Sequence, residues 1–130
     1  MIKKLGWTLL LGLLALPLTA QQAPSFAVTR MVTCTSVENY QPVGEAESFP
    51  AATEKIWCFL DAAQIVADTT VTFVWYCGDK EYSRLSLPIK AGSRWVTYAW
   101  IYIFSRTGDW KVDLQDAAGT VVKSAAFKIQ

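Results

Sequence analysis

Histidine is absent from the 130-residue chain. That removes the commonest general base and the commonest metal ligand, and with them most hydrolase and zinc chemistries. No three basic residues follow one another, and 12 Lys and Arg stand against 11 Asp and Glu. Such a balance cannot neutralise a phosphate backbone, so nucleic acid is not an expected partner. Charged residues are only 18% of the chain and hydrophobic ones 52%, too apolar a mixture for a disordered polymer. There is no GxSxG, P-loop, HExxH or dinucleotide fingerprint. Neither catalysis, a metal nor a cofactor is expected, and the length is that of one small domain.

What is present begins with an address. Lys3 and Lys4 precede an apolar stretch from Leu5 to Leu16, followed by Pro17 and a small residue at Ala20. Residues 1–20 therefore read as a secretory signal peptide cleaved at Ala20–Gln21, since the run is too short and too interrupted to span a bilayer. With no Cys after the cut, no lipid anchor is expected. A periplasmic or secreted protein follows, without stable membrane insertion after cleavage. Eight of the twelve Leu leave with this segment, and residues 21–130 keep 4 Leu against 27 Val, Ile and Thr. β-Branched side chains suit a pleated surface and lose freedom in a helix, so sheet is favoured.

Gly78, Gly92, Gly108 and Gly119 stand in polar turn signals, and between them the apolar period is two. Val71, Phe73 and Trp75 alternate with Thr70 and Thr72; Leu85, Leu87 and Ile89 with Arg84 and Ser86; Trp110, Val112 and Leu114 with Lys111 and Asp113. A first strand groups Phe26, Val28, Val32 and Cys34, and a last one groups Val121, Ala125, Phe127 and Ile129, with Lys123 as an exception. Residues 50–67 read either as a helix after Pro50 or as a strand alternating Ile56, Cys58 and Leu60. Taken as a strand, that segment completes seven, at about 26–37, 55–62, 70–77, 82–89, 94–104, 109–115 and 120–129. Residues 21–130 are then an all-β domain, an immunoglobulin-like antiparallel β-sandwich.

NYQPVGEAESFP from Asn39, CF at Cys58, VWYCGDKE from Val74, LPIKAGSRW from Leu87 and GDWKVDLQDAAGTVV from Gly108 give the chain a resemblance. From Val28 to the C-terminus it resembles a bacterial cell-envelope family of unknown function, with RW and GxWxVxLxDxxG motifs. The resemblance implies an all-β, immunoglobulin-like fold and tips residues 55–62 toward strand. It implies no reaction, ligand or catalytic residue. After Arg94 and Trp95 that family continues with basic and small polar residues, whereas here VTYAWIYIF runs from Val96 to Phe104.

This strand is apolar on both faces, with Trp95, Ala99, Ile101 and Ile103 on one and Val96, Tyr98, Trp100, Tyr102 and Phe104 on the other. Two readings are open. In one, the second face is covered by the Asn39–Ala52 loop or by another subunit. In the other it is an outward aromatic stripe, with Arg94, Tyr98, Trp100 and Tyr102 as the binding residues. The first function this suggests is a non-enzymatic envelope module that binds a protein partner or itself; the second is a carbohydrate- or peptidoglycan-binding module with an aromatic stacking platform.

Three Cys in an exported chain imply one pair and one left over. Alternation makes Cys34 and Cys58 both inward, so they are the disulfide candidates, although pairings with Cys77 stay open. A leftover buried thiol is expected to be inert. Glu38, Glu45 and Glu47, and Asp109 and Asp113, are expected to be solvated, with Asp116 opening the DAAG turn. Arg30, Arg84 and Arg94 form a basic face only if their strands are neighbours.

Overall fold

The computed structural model describes residues 25–130, so the expected signal peptide lies outside the described residues. Among these there is no helix, and none is therefore long and apolar enough to cross a membrane. Seven long strands carry the fold: β1 (Ala27–Cys34), β5 (Lys55–Ile65), β6 (Thr69–Cys77), β7 (Lys80–Ile89), β8 (Gly92–Tyr102), β9 (Gly108–Gln115) and β10 (Val121–Ile129). Three short ones, β2 (Ser36–Glu38), β3 (Gln41–Val43) and β4 (Ser48–Phe49), lie between β1 and β5. The segment with two readings is strand β5, because its alternation buries Ile56, Cys58, Leu60 and Ala62 along one face.

The protein is an antiparallel β-sandwich. One sheet has the order β1-β5-β8 and the other β4-β10-β9-β6-β7, with β4 joined in parallel to the end of β10. Each long strand sends alternate residues into the space between them, and the resulting core contains Ile56, Leu60, Phe73, Trp75, Ile101, Ile103, Trp110, Leu114 and Phe127. Phe127 stacks on Trp110 at 5.9 Å and meets Trp75 edge-on at 6.1 Å. Burying each such side chain is worth roughly 1.5–3 kcal/mol, which is what offsets the entropy of ordering the chain.

Two bulges change which residues look inward. Between Val28 and Arg30 the β1–β5 register slips, and the extra residue, Thr29, turns its hydroxyl to the Asp61 carbonyl at 2.8 Å. Before the slip Val28 faces inward; after it Met31 opposes Leu60, while Val32 and Cys34 turn to the outer side opposite Phe59 and Trp57. A bulge reverses parity in this way because side chains alternate with a period of two. The grouping of Phe26, Val28, Val32 and Cys34 on one face is therefore corrected. The second bulge, between Val121 and Lys123, brings Val122 against the core and leaves Val121 exposed. Lys123, opposite the inward-facing Leu114, lines the crevice between β1 and β10 together with Glu45 and Glu47.

Strands β2 and β3 form a hairpin closed by the two-residue turn Asn39-Tyr40, both at positive φ. It packs against β5 on the outer side of the three-stranded sheet, and its tip shares a crevice with Arg94 and Val96. Gly44 ends it at φ +71°, where a Cβ would sit 2.1 Å from the Thr35 hydroxyl oxygen. Only glycine fits so close an approach.

Candidate functional site

The sites expected from sequence divide sharply once the faces are known. Tyr98, Trp100 and Tyr102 point outward from β8 and are 39%, 40% and 40% exposed, and Phe104 beyond them is 71% exposed. Trp57 of β5 lies alongside, 5.4 Å from Tyr98 and 6.0 Å from Trp100 between ring centres. Trp100 and Tyr102 meet at 5.1 Å, and Tyr102 and Phe104 at 5.8 Å. Lys55 lays its ammonium 4.3 Å from the centre of the Trp100 ring and 5.4 Å from that of Tyr102, within the range of a cation–π contact. Trp57 and Lys55 were not singled out from sequence. Their signal was the strand reading of 55–62, in which Lys55, Trp57 and Phe59 share the outer face.

Each of the two readings of this face describes one part of it. Phe59 also faces outward yet is only 1% exposed, and Cys34 beside it is fully buried. The β2–β3 hairpin lies over this part of the sheet, β2 against β5 and β3 against β1, so the cover at that end begins at Ser36, ahead of the expected Asn39–Ala52 loop. The Trp57–Phe104 end stays open.

Arg94 is at the covered end. Its guanidinium donates to both oxygens of Asp61, at 3.0 and 3.2 Å from Nε and 2.8 Å from a terminal nitrogen. This bidentate bond holds the Asp61 carboxyl below the usual carboxylate range and raises Arg94 in turn. Arg94 thus shares the outer face of the stripe but stands four residues before Tyr98, past Val96, with its charge engaged. Arg30 is on the same face and pairs with Glu45, whereas Arg84 is in the other sheet and pairs with Glu81. No basic face of three arginines forms.

The Cys34–Cys58 disulfide is not present, and all three cysteines are free thiols. Thr33 opposes Cys58 and Trp57 opposes Cys34, so the two cysteines are diagonal neighbours whose side chains leave opposite faces of one sheet. Disulfide geometry needs Cβ vectors that converge. The β1 bulge is the cause, because it turned Cys34 outward. Burial pushes the Cys34 thiol up to about 11 and raises Cys58 further, which keeps both protonated and unreactive.

Among the acids, Asp116 accepts from the backbone N–H of Ala118 and Thr120 at 3.0 and 2.9 Å and closes its turn as expected. Glu38 takes the Ser36 hydroxyl at the hairpin, away from the crevice that Glu45 and Glu47 line. Asp113 departs from the expectation of solvation. It is 5% exposed on the outer side of β9, accepting the Ser124 hydroxyl at 2.6 Å with Lys111 at 3.5 Å. No three acidic or sulfur ligands converge on a point among the described residues.

No curated protein matches the chain. Among solved structures, a β-glucosidase from Kluyveromyces marxianus, labelled with selenomethionine, is similar in shape at a TM-score of 0.48 and 8% identity. The likeness covers 82% of this chain, which spans 14% of that one. Residues 68–129, from the start of β6 to the end of β10, match the family described as "Protein of unknown function (DUF2914)". The chain is therefore similar, over the stretch that includes Arg94, Tyr98, Trp100 and Tyr102, to a family of unknown function.

Proposed function

We propose that this is a non-enzymatic interaction module of the bacterial envelope, periplasmic or secreted, that binds a protein partner through the open half of the aromatic face. The supporting observation is that Tyr98, Trp100, Tyr102 and Phe104 stay exposed in a row on one sheet while the hairpin covers the rest of that face. Large aromatics bury much area for little lost side-chain freedom and supply the anchors of protein interfaces. The exported location rests on residues 1–20. The immunoglobulin-like assignment is supported by seven long strands divided three against four.

Ring orientation favours a protein partner over a glycan. A flat platform that stacks several sugar rings at once holds its aromatic rings nearly in one plane. Here Trp100 and Tyr102 are inclined at 84°, Trp57 and Tyr98 at 50° and Trp57 and Trp100 at 41°. The result is a ridged surface that fits interdigitating side chains better than a flat pyranose. A catalytic reading has less support, since the buried thiols of Cys34 and Cys58 resist ionisation.

The test compares two faces of one molecule. Proximity crosslinking in envelope extract, followed by identification of the crosslinked protein, is run with wild type, Trp100→Ala and Arg84→Ala. Loss of a defined partner with Trp100→Ala and its retention with Arg84→Ala supports the reading. Cosedimentation with purified peptidoglycan that Trp100→Ala abolishes would replace it with the glycan reading.

A further inference from the structure

We infer that the occupant of this region is a second copy of the chain, docked by antiparallel pairing of β8 with β8 along its open edge. The inference rests on the interaction reading above and specifies its partner. A sandwich of two open sheets has four edges, and such edges template unwanted pairing unless they are blunted by charge, proline, bulges or a covering segment. Three are blunted here. The β1 edge has its bulge and Arg30, and residue 46 crosses it, with the Ala46 N–H donating to the Thr33 carbonyl at 3.1 Å and the Thr33 hydroxyl to the Ala46 carbonyl at 2.6 Å. The β10 edge is closed at its end by β4 and carries Lys123 at a bulge. The β7 edge holds Lys80, Glu81, Arg84 and Pro88 and is bulged opposite Trp75 and Tyr76.

The β8 edge has none of these from Thr97 to Ile101, between the hairpin tip beside Arg94–Val96 and the Tyr82 hydroxyl at Tyr102. From Trp95 to Tyr102 it contains no charge, proline or glycine, and its pairing with β5 runs from Lys55–Tyr102 to Ala63–Arg94 without a break. The Ile103 N–H, just past the strand end, bonds inward to the Glu54 carbonyl at 3.1 Å. By alternation the backbone groups of Val96, Tyr98, Trp100 and Tyr102 face away from β5 toward the open edge. The Tyr82 hydroxyl meets the Tyr102 carbonyl there, at 2.7 Å, and marks the end of the free stretch.

Charge selects the occupant. The pairing strand must bring no charge to face Tyr98 and Val96, and β8 itself meets that requirement. Full overlap about the strand midpoint, Thr97, sets Val96 opposite Tyr98 of the second copy and Arg94 opposite Trp100, so the one cation meets an indole and not its own counterpart. Asp61 already balances that cation, and the near-zero net charge of the chain adds little repulsion between copies. Pairing also continues the aromatic ridge from one subunit into the next.

The exported protein purified from the envelope is measured by sedimentation equilibrium across the micromolar range, with amide exchange at Tyr98 and Trp100 as a second readout. The expected result is a doubling of mass with concentration, accompanied by slowed exchange at those two amides. Val96→Pro removes an N–H from the open edge without touching a β5 bond, and should weaken dimerisation at least ~10-fold. Tyr98→Lys, which places a charge on the edge, should do the same while leaving the thermal midpoint near that of wild type. A chain that stays monomeric throughout overturns the proposal, even if Trp100-dependent crosslinks to another protein persist. So does a dimer that survives both substitutions.

Discussion

The outer faces of the two sheets differ in what covers them. On the five-stranded sheet Val74 is fully buried on an outward position, with Arg84 and Asp113 directly across from it on the neighbouring strands. Long polar side chains lay their apolar stems over such a residue and keep their heads in water. On the three-stranded sheet Phe59 is buried on an outward position by a separate piece of backbone, the β2–β3 hairpin, and the neighbouring aromatics are left bare. A face covered by its own surface side chains is complete in the monomer. A face half covered by an added hairpin behaves as a small second core at one end and as an unpartnered surface at the other.

The sharpest way to break this comparison is Phe59→Ala. Phe59 is as buried as the residues between the sheets although it belongs to the outer face, so its loss should cost ~3–5 kcal/mol, the range for a core aromatic. Urea unfolding followed by tryptophan fluorescence would measure it. A cost near that of a surface substitution would mean the hairpin lies loosely over the sheet. Next in size is Asp113→Ala on the opposite face. It removes the acceptor of the short Ser124 bond in a buried position, and an abandoned buried polar partner costs ~1–3 kcal/mol. Trp100→Ala should change stability by less than ~1 kcal/mol, because a partly exposed side chain leaves no closed cavity. Equal destabilisation by Trp100→Ala and Phe59→Ala would erase the distinction between the two ends of the face.

Much of this arrangement was legible in the residues. Alternation located six of the seven long strands to within a few residues, because each buries one face and has a period of two; residues 55–62 fitted a helix as well, and only the resemblance tipped them to strand. The outward set on β8 was also legible, but apolar residues on both faces of the strand left a covered face and an exposed stripe both open. Cys34 was misplaced because the bulge at Thr29 carries no glycine or proline to announce it, and one inserted residue reverses every side chain after it. Lys123 stood out in the sequence only as an exception to an apolar series, and the bulge beside it is the reason. Which part of the aromatic face is covered could not be read from periodicity. That depends on where the hairpin folds back, a long-range contact set by Gly44 and the Asn39-Tyr40 turn.

The smallest expected difference between the faces is electrostatic, and it is the one with a definite sign. Each face carries one bidentate arginine–carboxylate pair, Arg94 with Asp61 on the three-stranded sheet and Arg84 with Glu81 on the other. In both, hydrogen bonding to the arginine holds the acid below its ordinary value. A depressed folded-state value means that the stabilisation is fully present above the ordinary carboxylate range and is lost as the pH falls through the lowered one. Thermal midpoints should therefore drop on acidification, and Asp61→Asn or Glu81→Gln should each flatten part of that drop while lowering the midpoint at neutral pH. The Asp61 side chain is 18% exposed and that of Glu81 44%, and solvent weakens the more exposed pair. The flattening should be larger for Asp61→Asn. If Glu81→Gln flattens the profile as much, the two faces are electrostatically alike and their difference is one of covering alone.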